Sequence, residues 1–181
     1  MPSRAARLAL AMSTLVVAIS TAQAQTAPPI KPGLWEIKSE REVDGKQAPD
    51  PSEQMKNLPP DVRAKVEAMM KEKGIGVGEG GVNRVCLSRE TLDQGRWQGQ
   101  SENCRTEFTS RTTSSWKWRS VCTKPDSESD GEAVFANNEN YIVRTNMKSK
   151  VQGQERLTKM TIHAKWAGGN CGDIKPVQPK G

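Results

Sequence analysis

The chain has 181 residues, with 27 Lys and Arg against 21 Asp and Glu and a formal net charge of +6. Hydrophobic residues make up 34 % of it, less than is usual in a globular domain, and no apolar run reaches the ~20 residues that a membrane-spanning helix requires. These values predict one small domain and exclude a protein that crosses a membrane with helices. The modest charge, spread without blocks, argues against a dedicated nucleic-acid binder.

Residues 1–24 have the pattern of a secretory signal peptide. Arg4 and Arg7 precede an apolar run at 8–19, and the segment ends in Ala22-Gln23-Ala24, the small-residue pattern after which signal peptidase cuts. The run is too short to serve as an uncleaved anchor. Loss of the two arginines lowers the net charge to +4. We therefore expect a periplasmic protein that is cleaved after Ala24.

The four cysteines all lie in the mature part of the chain, at Cys86, Cys104, Cys122 and Cys171. An even number of cysteines in a small exported chain predicts two disulfides, and their wide spacing disfavours a zinc site. Cys104 and Cys122 are symmetric about Thr113, so a hairpin there pairs them and leaves Cys86 with Cys171. The sequential pairing, Cys86 with Cys104 and Cys122 with Cys171, is nearly as plausible from the sequence.

Three further segments flank or interrupt the predicted domain at 33–171. Residues 25–32 are rich in proline and predict an extended leader, and residues 172–181 predict a flexible tail. A helix is predicted from Pro60 to Lys73, since prolines open it and an apolar stripe follows at helical spacing. The stripe consists of Val62, Val66, Met69 and Met70. The glycine-rich stretch at 74–81 predicts a flexible joint.

Seven segments show the two-residue alternation of half-buried strands. Their predicted bounds are Gly33–Arg41, Val82–Leu87, Arg105–Ser110, Ser115–Cys122, Glu132–Ala136, Tyr141–Asn146 and Leu157–Trp166. The last is the most regular, with Met160 and Ile162 on one face and Lys159 and His163 on the other. The predicted fold is mainly β (α+β): a curved or partly closed antiparallel sheet of about seven strands with one amphipathic helix packed on it.

Aromatic residues provide the binding candidates, which are Trp35, Trp116, Trp118, Phe135 and Trp166. Trp116 and Trp118 share one face of a predicted strand, with Lys117 and Arg119 on the other. Such indoles form either a stacking platform, the lining of a cavity inside the sheet, or the bulky core that a leucine-poor sheet needs. The core interpretation is favoured, and the sequence leaves open whether that core is filled or hollow.

Other motifs predict little chemistry. Asp126, Glu128 and Asp130, followed by Gly131, match the first half of a calcium-binding loop, but position twelve is Asn137 instead of a bidentate glutamate. This is a weak calcium candidate, and a solvated acidic turn is favoured. The single histidine, His163, has no nearby acid and lies among lysines. We expect no cofactor, no catalytic residue and no enzymatic activity.

Four motifs occur in a recognisable order. They are Lys31-Pro32-Gly33-Leu34-Trp35-Glu36 after the signal peptide, Leu58-Pro59-Pro60 before the Met69-Met70 helix, Val85-Cys86-Leu87-Ser88, and Trp166-Ala-Gly-Gly-Asn-Cys171-Gly172. In these features the chain resembles the small exported proteins of Gram-negative bacteria classed as domain of unknown function 3617, from about Lys31 to Lys175. The resemblance implies an envelope location and a disulfide-containing β-rich domain, and it implies no catalytic residue.

The leading functional hypothesis is a non-enzymatic periplasmic module that binds a small apolar or amphipathic ligand within its curved sheet. The alternative is a module that contacts another protein of the cell envelope. A hydrolase is the third and least favoured hypothesis, and His163 and Asp130 are the residues it would use.

Overall fold

The computed structural model describes residues 27–94 and 103–177. Within these ranges the strands are β1 (Gly33–Val43), β2 (Lys46–Gln47), β3 (Ile75–Val77), β4 (Asn83–Leu87), β5 (Cys104–Arg111), β6 (Ser115–Thr123), β7 (Asp126–Asn137), β8 (Asn140–Val151) and β9 (Gln154–Gly168). The helices are α1 (Pro51–Lys56), α2 (Pro60–Glu72) and α3 (Arg89–Asp93), with a 3₁₀ turn at Glu79–Gly81. The predicted signal peptide lies outside the described residues.

All these strands belong to one antiparallel sheet. Its order is β3-β4-β1-β9-β8-β7-β6-β5, and β2 pairs with β1 alone. Strands β5 to β9 follow one another as a meander, because each is separated from the next by a short turn. In the described part of the chain β3 and β5 are the two edges and do not pair with each other, so the sheet is open. The predicted mainly-β, α+β class is confirmed.

One face of the sheet, here called the inner face, carries the core. On β6, Trp116, Trp118 and Ser120 are buried while Lys117 and Arg119 between them are exposed. The same alternation runs along β9 with the parity that the sequence predicts. Neighbouring strands place their inner residues side by side, because residues directly opposite each other in an antiparallel pair, such as Trp116 and Ala133, point to the same face. The opposite, outer face is largely charged.

Helix α2 lies beside the edge strand β3 and has no fully buried residue. The residues that turn towards the sheet are half-buried and are Arg63, Val66, Glu67 and Met70. Two members of the predicted apolar stripe, Val62 and Met69, are instead 38 % and 55 % exposed. The helix therefore packs along one border of the sheet and does not cover the middle of the inner face.

Segments at both ends of the domain contribute to its packing. Ile30, in the predicted leader, is 4 % exposed and belongs to the core, and the amide of Lys31 donates to the carbonyl of Asn138. At the other end Ile174 is buried, and the amide of Val177 donates to the carbonyl of Cys86. The described part of the predicted flexible tail is therefore packed along β4.

Two disulfides join Cys86 to Cys171 and Cys104 to Cys122. Cys104 and Cys122 are directly opposite each other on β5 and β6, as the symmetric hairpin predicts. The other bridge ties the segment after β9 to β4, which explains why that segment is fixed. Two structural disulfides indicate an oxidising, exported environment. Among the described residues no helix is long and apolar enough to span a membrane.

Candidate functional site

The five aromatic candidates come together on or beside the inner face. Trp35 and Trp116 are fully buried, Trp118 and Phe135 are 8 % and 5 % exposed, and Trp166 is half-buried against the same cluster. The ring centroids of Trp116 and Phe135 lie 6.0 Å apart in an edge-to-face arrangement. This is the geometry in which aromatic rings attract one another in protein cores. These residues form a packed core, which is the interpretation that the sequence favours.

Hydrogen bonds fix three of the indole rings. The Nε1 atoms of Trp35, Trp116 and Trp166 donate to the carbonyl oxygens of Lys31, Thr112 and Pro32, at 3.0, 3.1 and 3.1 Å. A buried indole N–H that is already paired has no donor left for a ligand. The contacts also tie residues 31–32 of the leader to the core, since Lys31 and Pro32 provide two of the acceptors.

Tyr141 completes this cluster at the start of β8. Its ring lies 5.0 Å from that of Trp35 and 6.1 Å from that of Phe135. Burial raises the pKa of the Tyr141 hydroxyl far above its ordinary value, because the phenolate would lose its hydration in the core. The residue is therefore a neutral core group at any physiological pH.

A separate groove lies between the helices and the inner face at the β3 border. Its volume is about 360 Å³. We call it the helix–sheet groove, and its lining residues are Ser39, Asp50, Gln54, Met55, Leu58, Met70, Val77, Gly81, Val82 and Asn83. The volume falls within the range of small-molecule sites, ~300–1,000 Å³.

The sheet provides one wall of this groove. Val77 pairs with Asn83, and Asn83 pairs with Ile37 of β1, so Val77, Asn83 and Ser39 share the inner face. This wall presents an apolar group beside an amide and a hydroxyl. A ligand lying here meets an apolar surface and hydrogen-bonding groups within a few ångströms of one another.

The helix side provides the other wall, where three apolar side chains lie together with Asp50 and Gln54. Met55, Leu58 and Met70 face the groove and are half-buried. The Arg63 guanidinium donates to the carbonyls of Lys56 and Leu58, at 3.1 and 3.3 Å, and so holds α1 against α2. Methionine side chains are flexible and polarisable, which lets one surface adapt to ligands of different shape.

The weak calcium candidate lies within strand β7 and not in a loop. Asp126, Glu128 and Asp130 all point to the outer face, where successive positions are about 7 Å apart, whereas calcium needs oxygens ~2.3–2.6 Å from one ion. Two of them face cations instead: Arg119 lies 2.8 Å from Glu128 and Lys150 lies 4.0 Å from Asp126. No group of three metal-ligating side chains occurs in ranges 27–94 and 103–177.

His163 is exposed on the outer face of β9, opposite Lys38 of β1. Asp130 pairs with Asn146, four residues along β8 from Ile142, the partner of His163. Two strand spacings and four residues correspond to roughly 16 Å, so His163 and Asp130 cannot share a proton. The structure does not bring together the pair that the hydrolase hypothesis invokes.

The groove does not follow from the sequence, because two of the segments that line it carry weak signals. Met55 and Leu58 fall in a polar, turn-rich stretch at 43–58, and Val77 falls in the glycine-rich joint. The one signal that points to the groove is the helical spacing of Met70 with Val66, which predicts a face turned towards the sheet.

Comparison with known proteins identifies a family, and that family has no assigned activity. The family model described as Protein of unknown function (DUF3617) matches residues 30–171. An uncharacterized protein encoded in the lpd-3 5′ region of Pseudomonas putida is 35 % identical over 143 residues, which cover 76 % of this chain and 93 % of that protein. No solved structure shows significant similarity to the chain.

Proposed function

We propose that this chain, which belongs to the DUF3617 family, binds a small amphipathic molecule in its helix–sheet groove. The observation that carries the proposal is the composition of the two walls. Met55, Leu58 and Met70 offer an apolar surface, and Ser39 and Asn83 offer hydrogen-bonding groups opposite them. A ligand with an apolar part and a polar part satisfies both walls.

The aromatic core supports this location over the one first predicted. Trp35, Trp116 and Phe135 are buried, and their rings contact other residues of the core. They therefore offer no accessible surface to a ligand. The core therefore acts as a rigid support, while the groove lies where α2 packs less closely. The flexible methionine side chains of the groove can adjust to a ligand while the aromatic core keeps the fold unchanged.

We place this binding in the periplasm. The basic, apolar and small-residue regions of the first 24 residues are those of an exported precursor, and the disulfides require an oxidising compartment. The proposal includes no catalytic step. The ligand is amphipathic because both kinds of group line the site, and its covalent identity is left to the experiment.

Two adjacent methionines of α2 provide a matched test. Met70 lines the groove, whereas Met69 is 55 % exposed and does not line it. The mature protein is titrated with the apolar fluorophore N-phenyl-1-naphthylamine. We expect Met70→Glu to weaken binding by about tenfold or more, because its carboxylate must be desolvated beside the probe. Met69→Glu, with the same change in charge, should bind as the wild type does.

Equal binding by both variants and the wild type would refute the groove as the site. Circular dichroism and the unfolding midpoint of each variant establish that the fold is retained. Native mass spectrometry of protein purified from periplasm then identifies a natural ligand as extra mass that disappears on denaturation. Recovery of the bare chain from periplasm, together with no probe binding, would count against the ligand-binding function itself.

The second candidate function is contact with another envelope protein through the outer face. The observation that favours it is a depression of about 430 Å³ lined in part by Val134, Ile142 and Val82, with His163 and Lys165 at its border. An apolar patch bordered by charged side chains, here Glu36, Lys38 and Lys165, is typical of a protein contact surface. A photo-crosslinking residue at Val134 should capture a discrete partner in the periplasm, while the same residue at exposed Asn146 should not. Equal labelling at both positions would contradict this candidate.

A further inference from the structure

The two edges of the sheet differ in how they are protected. Beside β3, the chain after β9 continues the edge, where Pro176 bridges Cys86 and the amide of Val177 donates to the Cys86 carbonyl. Proline at an edge blocks further strand pairing because it lacks an N–H. Strand β5 pairs with β6 along one edge, and no strand of the described residues pairs with its other edge. That edge presents backbone donors and acceptors over its length.

The charges on β5 are complementary to themselves. Arg105 and Glu107 lie on the same, outer face two residues apart, and neither forms an ion pair within the described part of the chain. In a two-fold antiparallel pairing centred on Thr106, Arg105 of each copy lies opposite Glu107 of the other. A register centred on residue 105 or 107 places like charges opposite each other, which is unfavourable.

We propose that β5 pairs with β5 of a second copy of this chain, in the register centred on Thr106, and joins the two sheets into one. Next to Glu107 on β6 lies Arg119, its cross-strand partner, so each Glu107 is then flanked by an arginine from both copies. On the inner face, Thr106 already shares a hydrogen bond of 2.9 Å with Ser120, and the pairing brings the two Thr106 side chains together. Cross-strand pairs of threonine and of opposite charge are both favourable.

The irregularity in β5 is compatible with this register. The pairing of β5 with β6 shifts between Phe108 and Ser110, so the strand is regular from Cys104 to Phe108. These residues surround the proposed two-fold axis at Thr106 symmetrically. A bulge often protects an edge, and here it lies beyond the segment that would pair.

The test is sedimentation equilibrium of the mature, disulfide-bonded protein at low salt. Glu107→Arg and Arg105→Glu each replace two attractive pairs by two repulsive ones, and we expect each to raise the dimer dissociation constant by about tenfold or more. The double exchange, Arg105→Glu with Glu107→Arg, restores opposite charges and should restore the dimer. Glu40→Arg, exposed on β1, makes the same change in net charge as Glu107→Arg and should leave the dimer unchanged.

A wild type that remains monomeric up to its solubility limit would overturn the proposal and leave the edge to a strand of another protein. A dimer that neither single variant weakens would overturn it as well, since β5 would then not be the interface. Circular dichroism of each variant separates loss of pairing from loss of fold. Binding of the fluorophore in the groove is independent of these outcomes, because the groove lies at the opposite edge of the sheet.

Discussion

The contact between Gly131 and Trp118 gives the sharpest test of how the core is packed. The two residues are directly opposite each other on β7 and β6, and the indole ring of Trp118 lies over the glycine. A Cβ atom on Gly131 would lie 2.2 Å from both Cε2 and Cζ2 of Trp118 and 2.6 Å from its Nε1. Carbon atoms in contact are ~3.5–4.0 Å apart, so Gly131→Ala forces the ring to move by more than an ångström.

The expected result is a loss of about 1–2 kcal/mol in the free energy of unfolding. Overpacking of a core costs ~1–3 kcal/mol, and the lower entropy of an alanine chain in the unfolded state returns only ~0.4–1 kcal/mol. The overpacking therefore dominates. For a domain of this size the melting temperature should fall by about 2–8 °C.

The measurement is urea unfolding of the mature protein with its disulfides intact, followed by circular dichroism. Gly169→Ala is the matched control, because its Cβ would find only Trp166 Cζ2 at 4.0 Å, an ordinary contact. In a Trp118→Leu background the cost of Gly131→Ala should fall below about 0.5 kcal/mol, since the ring is gone. A Gly131→Ala protein as stable as the wild type, or an equal cost in both backgrounds, would refute this description of the core.

Three further predictions concern the ends of the domain and its core. Replacing the Cys86–Cys171 pair by serines should lower the free energy of unfolding by about 4.5 kcal/mol, and replacing Cys104–Cys122 should lower it by about 3 kcal/mol. The first bridge contributes more because it closes the longer loop. Equal losses in urea unfolding would contradict this order. Tyr141, the single tyrosine, should stay un-ionised well above pH 10 by absorbance at 295 nm while the fold persists, and an ordinary titration near pH 10 in the folded protein would show that it is not buried. Because its pKa is raised in the folded state only, the associated stability is present below about pH 10 and is lost as the pH rises further; Tyr141→Phe should remove that dependence. Ile30→Ala should cost about 2–4 kcal/mol by thermal unfolding, and an unchanged midpoint would mean that the leader is not part of the core.

The parts of the fold that follow from the sequence are those set by local alternation. The two-residue alternation is clear in the sequences of β6 and β9, and their inward and outward residues, such as Trp116 and Lys117 on β6, are assigned correctly from it. The pairing of Cys104 with Cys122 is one of the two that the sequence leaves open, and the register of β5 with β6 decides between them. The inward and outward faces of these strands are predictable because they depend only on residues that are close in the chain.

The parts that the sequence does not reveal depend on contacts between distant residues. Gly76 belongs to β3, and a Cβ there would lie 2.5 Å from Cδ1 of Ile174. The glycine therefore makes room for a residue almost one hundred positions away, which no local pattern encodes. Ile30 is buried for a similar reason, since its proline-rich surroundings predict an extended chain and only the sheet provides its neighbours.

The candidate site likewise has parts that the local sequence pattern predicts and parts that depend on contacts between distant residues. The sequence correctly groups Trp35, Trp116 and Phe135, but it does not distinguish a filled core from a hollow one, because that depends on how the rings interlock. The helix–sheet groove requires β1, α1, α2 and β3 to converge, and its lining residues are scattered over four segments of the chain. Its discovery therefore needs the three-dimensional arrangement.

The measurement that tests the central claim most directly is a ¹³C-methyl spectrum of the methionines during titration with N-phenyl-1-naphthylamine. Met55 and Met70 line the groove, while Met147 lies on the inner face of β8, two strands away from the groove residue Ser39 of β1. Binding in the groove predicts that the Met55 and Met70 methyl signals shift in proportion to occupancy and that the Met147 signal stays unchanged. A shift of Met147 with Met55 and Met70 unmoved would place the ligand elsewhere on the sheet and contradict the account.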